Sequence, residues 1–248
     1  MDWSRAKSVL IYAFLLLNIV LGYQLWQDVR DQINTEQDWT TLSEETRRIM
    51  DVKQIQVTSK IPSETPSLRE ITYRYEKKTS FKNILTTPIE SRVLYATKRE
   101  MVRALEEAIP HIEMYQLDQQ LSDESKFVLH QQMVNGLPLF EVKLELYYEN
   151  REIVAFRQQY AEIEDSKTAQ EQKILPASQA LDTLIEKNLP PGTVVTDIQL
   201  GYHGQVFDTD TQVAAPTWRL LLDNGDIYYM NAINGAVEHV PSGKKETK

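Results

Sequence analysis

The chain has 248 residues, a formal net charge of -9, 42% hydrophobic residues and no cysteine. The acidity argues against nucleic acid and against simple attraction to anionic surfaces. The absence of cysteine excludes disulfides, a thiol nucleophile and a lipid-modified cysteine.

The first element is MDWSRAKSVLIYAFLLLNIVLGYQLWQDVRD. Val9 to Trp26 is an uncharged run of 18 residues, about 27 Å as a helix, close to the hydrocarbon thickness of a bilayer. It is longer than the apolar region of a signal peptide and leaves through Gly22-Tyr23-Gln24-Leu25-Trp26, without a small-residue cleavage pattern. The reading is an uncleaved transmembrane helix over 9–26. Arg5 and Lys7 keep residues 1–8 cytoplasmic and place everything after Trp26 outside. Ile11, Leu15, Asn18, Gly22 and Leu25 share one face of this helix, with a carboxamide that needs a partner in lipid and a glycine that admits a second backbone. That face is the candidate partner-binding site.

Residues 27–50 read as a polar juxtamembrane stalk, and VKQIQV (52–57) as a strand. Prolines break the chain at 61–67, and ITYRYE (71–76) alternates again. Thr97 and Glu100 form a capping box ahead of a helix with Met101, Val102, Leu105, Ala108, Ile109 and Ile112 on one face. FVLHQQMV, the Asn135-Gly136 turn and LPLFEVKLELYY follow as a hairpin. In it Phe140, Val142, Leu144 and Leu146 face a core, and Glu141, Lys143 and Glu145 a wet side.

The plan then repeats. Pro176 opens a helix with Ala177, Ala180, Leu181, Leu184 and Ile185 on its apolar face, and Pro190-Pro191-Gly192 stops it. Strands follow at TVVTDIQLGY, PTWRLLL, IYYMNA and AVEHV, with turns at 223–225 and 234–235. Pro138-Leu139-Phe140 can be laid on Pro216-Thr217-Trp218. The expected architecture is α+β: a transmembrane helix, then two helix-plus-antiparallel-meander units at 51–168 and 169–242, then a polar tail at 243–248.

Catalytic and metal signatures are weak. His111, His130, His203 and His239 lack metal-ligand spacing, so no metal and no cofactor is expected. QVFDTDTQ (205–212) resembles the nucleophile loop of haloacid dehalogenase-like phosphotransferases, yet only 37 residues follow Thr211, too few for the parallel α/β domain that family needs. Asp208 and Asp210 are better read as turn residues bonding their own backbone. There is no G-x-S-x-G elbow, and no helix follows Gly201-Tyr202-His203-Gly204 to make a phosphate cradle. The chain is read as a non-enzyme.

The ensemble of MDWSRAKSVLIYAFLLLNIVL, NGLPLFEVKL and PTWRLLLDNGDIYYMNAINGAVE resembles the YycI family over essentially the whole chain, and its last segment resembles a PepSY unit. The resemblance implies a single-pass regulator at the cell membrane of low-GC Gram-positive bacteria. It implies a YycH-like partner and the sensor histidine kinase WalK (YycG), which controls cell-wall metabolism. It supplies no catalytic residues. The alternative left open by the residues is a passively anchored extracytoplasmic binding module for a wall polymer or a peptidase.

Overall fold

Ser43 begins the packed part of the chain by accepting a hydrogen bond from the Thr46 amide at 3.0 Å. It caps α1 (Glu44–Lys53), whose acidic first turn and basic last turn suit the helix dipole. A computed structural model describes residues 12–18, 20–22, 42–78, 81–123, 125–164 and 170–242. Residues 12–18 and 20–22 are helical. Among the described residues no helix is long and apolar enough to cross a membrane. The remainder of the Val9–Trp26 run, residues 27–41 of the stalk and the tail at 243–248 lie outside the described residues.

Two expectations change at α1. The end of the stalk is not free: Leu42 and Met50 are 2% and 4% exposed and belong to a core. The strand expected at 52–57 keeps only Gln56–Val57 as β1, because the helix runs on to Lys53. Tertiary contact decides this. The Lys53 ammonium donates to the Ile185 and Leu189 carbonyls at 2.6 and 3.3 Å, capping the end of a second helix. Gln54, at φ 55°, then turns the chain into β1.

After β2 (Ser67–Leu68), β3 (Ile71–Lys78) and β4 (Asn83–Glu90) comes α2 (Lys98–Leu105), where both halves of the Thr97–Glu100 capping box form. It leads into β5 (Tyr115–Asp118), β6 (Lys126–Gln132), β7 (Pro138–Glu149) and β8 (Glu152–Glu164), each antiparallel to the one before. Beyond β9 (Gln172–Lys173), α3 (Ala177–Lys187) leads into β10 (Val194–His203), β11 (Thr211–Leu222), β12 (Ile227–Asn231) and β13 (Val237–Val240), again an antiparallel meander. A helix followed by four antiparallel strands therefore occurs twice. The match of Pro138-Leu139-Phe140 to Pro216-Thr217-Trp218 pairs the third strand of one meander with the second of the other, so it does not follow the topological order.

Each helix covers one sheet face. Met101, Leu105, Ile109 and Ile112 are buried against Tyr115, Leu129, Leu144 and Leu146. Ala180, Leu181, Leu184 and Ile185 are buried against Met50, Val195, Trp218 and Leu220. The turns between strands are those the residues dictate: Asn135 and Gly136 take φ 61° and 71°, the left-handed pair of a type I′ turn.

The two meanders are joined into one sheet of 11 strands. β3 pairs with the end of β8 on one side and the start of β11 on the other. A single parallel bridge, Tyr202 to Leu139, then closes β10, β11, β3, β8 and β7 into a ring. The third core lies on these strands: Ile71, Tyr73, Leu139, Val142, Ala161, Tyr202 and Ala214. Gly201 is required at the closure, since a Cβ there would stand 2.5 Å from the Phe140 ring and 2.7 Å from the Pro138 carbonyl oxygen.

Candidate functional site

On the N-terminal helix, Leu15, Asn18 and Gly22 are described, and their spacing puts them on one face. Ile11 and Leu25 lie outside the described residues. Leu15 is 53% exposed, and space around the Gly22 Cα is open. The Asn18 amide nitrogen donates to the Phe14 carbonyl at 2.8 Å, which satisfies one donor within the helix. A carboxamide has a second donor and an acceptor oxygen, and these are the groups that a neighbouring helix can meet.

The most concentrated polar chemistry among the described residues is buried between the meanders. Arg219 of β11 is 1% exposed. Its Nη1 donates to Asp118 of β5, and its Nη2 to Asp197 of β10 at 2.9 Å. Its guanidinium carbon lies 4.9 Å from the centre of the Phe140 ring. His130 of β6 is 2% exposed and stands edge-on to the same ring. Its Nε2 is 3.3 Å from Asp118 Oδ2 without hydrogen-bond geometry.

β5 and β11 are not neighbours in the sheet, so the Asp118–Arg219 pair ties face to face rather than edge to edge. A guanidinium with a carboxylate on each side is the arrangement a buried arginine needs. Closed to solvent at Arg219, Asp118 and His130, the cluster fixes the two meanders against each other.

A second tie lies nearby. His203, at the end of β10, stacks on Tyr229 with ring centres 3.8 Å apart. Its Nδ1 pairs with Glu141 of β7, and its Nε2 is 3.2 Å from Glu238 of β13. The face of β7 expected to be wet is therefore largely covered: the Glu141 and Glu145 side chains are 8% and 9% exposed. The residue types were read correctly. Glu141 is covered by His203, 62 positions away, and Glu145 by Lys126, Tyr147 and Arg157 of its own meander, and alternation along one strand registers neither.

These surroundings set the titration. Burial pushes the Asp118 carboxyl up, but His130 and the Arg219 guanidinium outweigh it and hold it well below the carboxylate range. Burial lowers His130 to about 4, helped by Arg219 and Lys143 against the pull of Asp118. Burial also lowers His203, yet Glu141 and Glu238 outweigh it and raise the ring above the ordinary 6.5.

The two histidines thus act in opposite directions on stability. For His203 the contribution is complete below 6.5 and is lost as pH rises through its raised value. For His130 the unfolded chain takes up a proton that the folded chain refuses, so stability falls as pH drops from 6.5 to about 4. The expected result is that the stability deficit of His203→Gln relative to wild type is largest at about pH 6 and narrows as pH rises above the ordinary histidine range, in urea titrations. His130→Gln flattens the acid limb instead.

Of the QVFDTDTQ segment, residues 205–210 lie in the hairpin loop between β10 and β11, and Thr211 and Gln212 begin β11. The loop is braced by Gln212, which accepts from the Phe207 amide at 2.8 Å and donates to the Phe207 carbonyl at 2.9 Å. That role was expected of Asp208 and Asp210. Among the described residues no group of three or more His, Asp or Glu could hold a metal ion.

Fold and site together define a mixed α+β protein, mostly sheet, whose buried polar residues join its own halves. A family model described as YycI protein matches residues 31–233. The chain belongs to the YycI family. No curated protein matches it. Among solved structures, an uncharacterized protein from Eubacterium rectale ATCC 33656 is 11% identical at a TM-score of 0.38, over 66% of this chain. The match spans 64% of that protein's chain, less than two thirds. The C-terminal domain of Bacillus megaterium YpeB is 13% identical at a TM-score of 0.34, over 68% of this chain and 71% of its own.

Proposed function

We propose that this chain is a non-enzymatic, membrane-anchored regulator that acts with a YycH-like partner. Together they modulate the WalK (YycG) sensor histidine kinase through membrane-helix and ectodomain contacts. Membership of the YycI family over residues 31–233 carries the regulatory class. The apolar run from Val9 to Trp26 behind Arg5 and Lys7 supports a single span with the ectodomain, built of two PepSY-like units, outside.

The interaction face of the span is Ile11, Leu15, Asn18, Gly22 and Leu25. In hydrocarbon the unused donor and the oxygen of Asn18 favour a neighbouring helix, and Gly22 allows close approach. The latched ectodomain holds the helix at a set position relative to a docked partner. Coupling to the kinase needs contacts that differ between its two states, and helix shifts of about 1–2 Å supply such a difference.

Asn18→Leu and Gly22→Leu are expected to weaken association with kinase or partner about 3- to 20-fold in a membrane two-hybrid assay. An unchanged signal from normally inserted variants contradicts the assignment of this face.

A further inference from the structure

The loop between β10 and β11 presents apolar side chains to solvent on a backbone that is firmly held. Val206 is 51% and Phe207 59% exposed, and Val213, on β11, is 50% exposed. Gln212 is 2% exposed, and its carboxamide serves the loop: it pins the Phe207 amide and carbonyl and donates to the Thr209 carbonyl. The Thr209 hydroxyl donates to the Thr211 carbonyl at 2.8 Å, and the Asp210 carbonyl accepts from the Tyr75 amide of β3 at 3.1 Å. At the other end of the loop Gly204 packs so closely that a Cβ would overlap the Val213 carbonyl oxygen. Asp208 and Asp210 follow Phe207 and are exposed, and among the described residues neither carboxylate is paired with a cation. Residues 204–210 contain no lysine or arginine. The rows beside the loop have the same sign. Register sets Thr211 by Arg74 and Arg74 by Glu162, then Val213 by Thr72 and Thr72 by Glu164. Arg74 is already shared by Glu76 and Glu164 at 3.4 and 3.5 Å, and His203, before the loop, by Glu141 and Glu238. Among the described residues, carboxylates therefore outnumber cations around the apolar tip.

We infer that Val206, Phe207, Asp208 and Asp210 form a docking tip for a partner protein whose surface offers an apolar pocket rimmed by lysine or arginine. An aromatic ring that fills such a pocket is the form of an interface hot spot, and the flanking carboxylates steer approach and fix register. Because Gln212 orders the loop before a partner arrives, docking costs little further ordering. An anionic bilayer repels these carboxylates. A second copy of the chain brings the same net charge of -9 and is repelled likewise. The inference deepens the proposed function: it rests on that reading for the presence of a protein partner and assigns the ectodomain surface that meets it.

The full-length chain in nanodiscs is titrated in turn with the purified ectodomains of the YycH-like partner and of the kinase, and affinity and association rate are read by biolayer interferometry. Phe207→Ala is expected to weaken binding to one of them about 30-fold. Asp208→Lys combined with Asp210→Lys is expected to slow that association about 10-fold at low salt, and to lose most of the difference at about 0.5 M salt. All three positions are exposed, so thermal unfolding of both variants is expected to match wild type. Wild-type binding by both variants overturns the docking tip and leaves the regulatory reading standing. A loss confined to Phe207→Ala overturns the cationic rim and with it the stated partner. A wild-type chain that binds neither ectodomain overturns the partner reading itself. Self-association of the wild-type chain that Phe207→Ala abolishes assigns the tip to a second copy and overturns the partner protein.

Discussion

Arg219→Met is expected to lower the stability of the folded chain by about 3–5 kcal/mol, because it leaves Asp118 buried and charged without its partner. Arg219 is 1% exposed, and the Asp118 side chain is 7% exposed, so water cannot replace what is lost. For a chain of this size the change corresponds to a fall of about 6–20 °C in Tm. Asp197, at 23% exposure, can turn to solvent and adds little to the loss. The double variant Asp118→Leu with Arg219→Met removes both charges and should recover most of the stability, since apolar replacements of buried pairs are often neutral. Thermal unfolding of the two variants is the check. A single variant within about 0.5 kcal/mol of wild type, in the range of an ordinary surface substitution, contradicts the latch.

Trp218→Ala should cost a similar amount, about 3–5 kcal/mol, by a different route. The ring is 1% exposed in the core beneath α3, so its removal leaves a large cavity. Its indole N–H also donates to the Leu175 carbonyl at 2.8 Å, just before α3 begins. Trp218→Phe keeps most of the volume and loses that bond, for a smaller loss of about 1–3 kcal/mol. Urea midpoints at unchanged m values separate the two. Equal losses in both variants show that the hydrogen bond, not the packing, dominates.

Local chemistry was legible in the residues. The Thr97–Glu100 capping box, the apolar face of α3 and the Asn135-Gly136 turn each depend on neighbours within a few positions, and each formed, whereas the helix expected to carry Met101 through Ile112 stops at Leu105, so that Ala108, Ile109 and Ile112 follow it in turns and a 3-10 segment. What failed to show is what depends on distant strands. The alternation at 52–57 yields to α1 because the end of α3 binds Lys53 from 132 positions away. Arg219 reads as one charge in an apolar strand, and only its 101-residue separation from Asp118 hides the pair. His130 and His203 lack metal spacing, yet both lie between the meanders, where burial and carboxylates set their charge. An arginine or histidine inside an otherwise buried strand was the available signal, and its partner could not be named from one chain.

Of the candidate face on the apolar run, spacing alone places Leu15, Asn18 and Gly22 together. The bond from Asn18 to Phe14 adds that one donor is already met within the helix. The decisive measurement replaces residues 9–26 with an unrelated apolar span of equal length and reads autophosphorylation of the WalK-type kinase in reconstituted membranes with the YycH-like partner present. Loss of the chain's effect on the kinase, at normal insertion and with the ectodomain folded, is the predicted result. Full regulation by the swapped chain contradicts it and reduces the anchor to a passive tether.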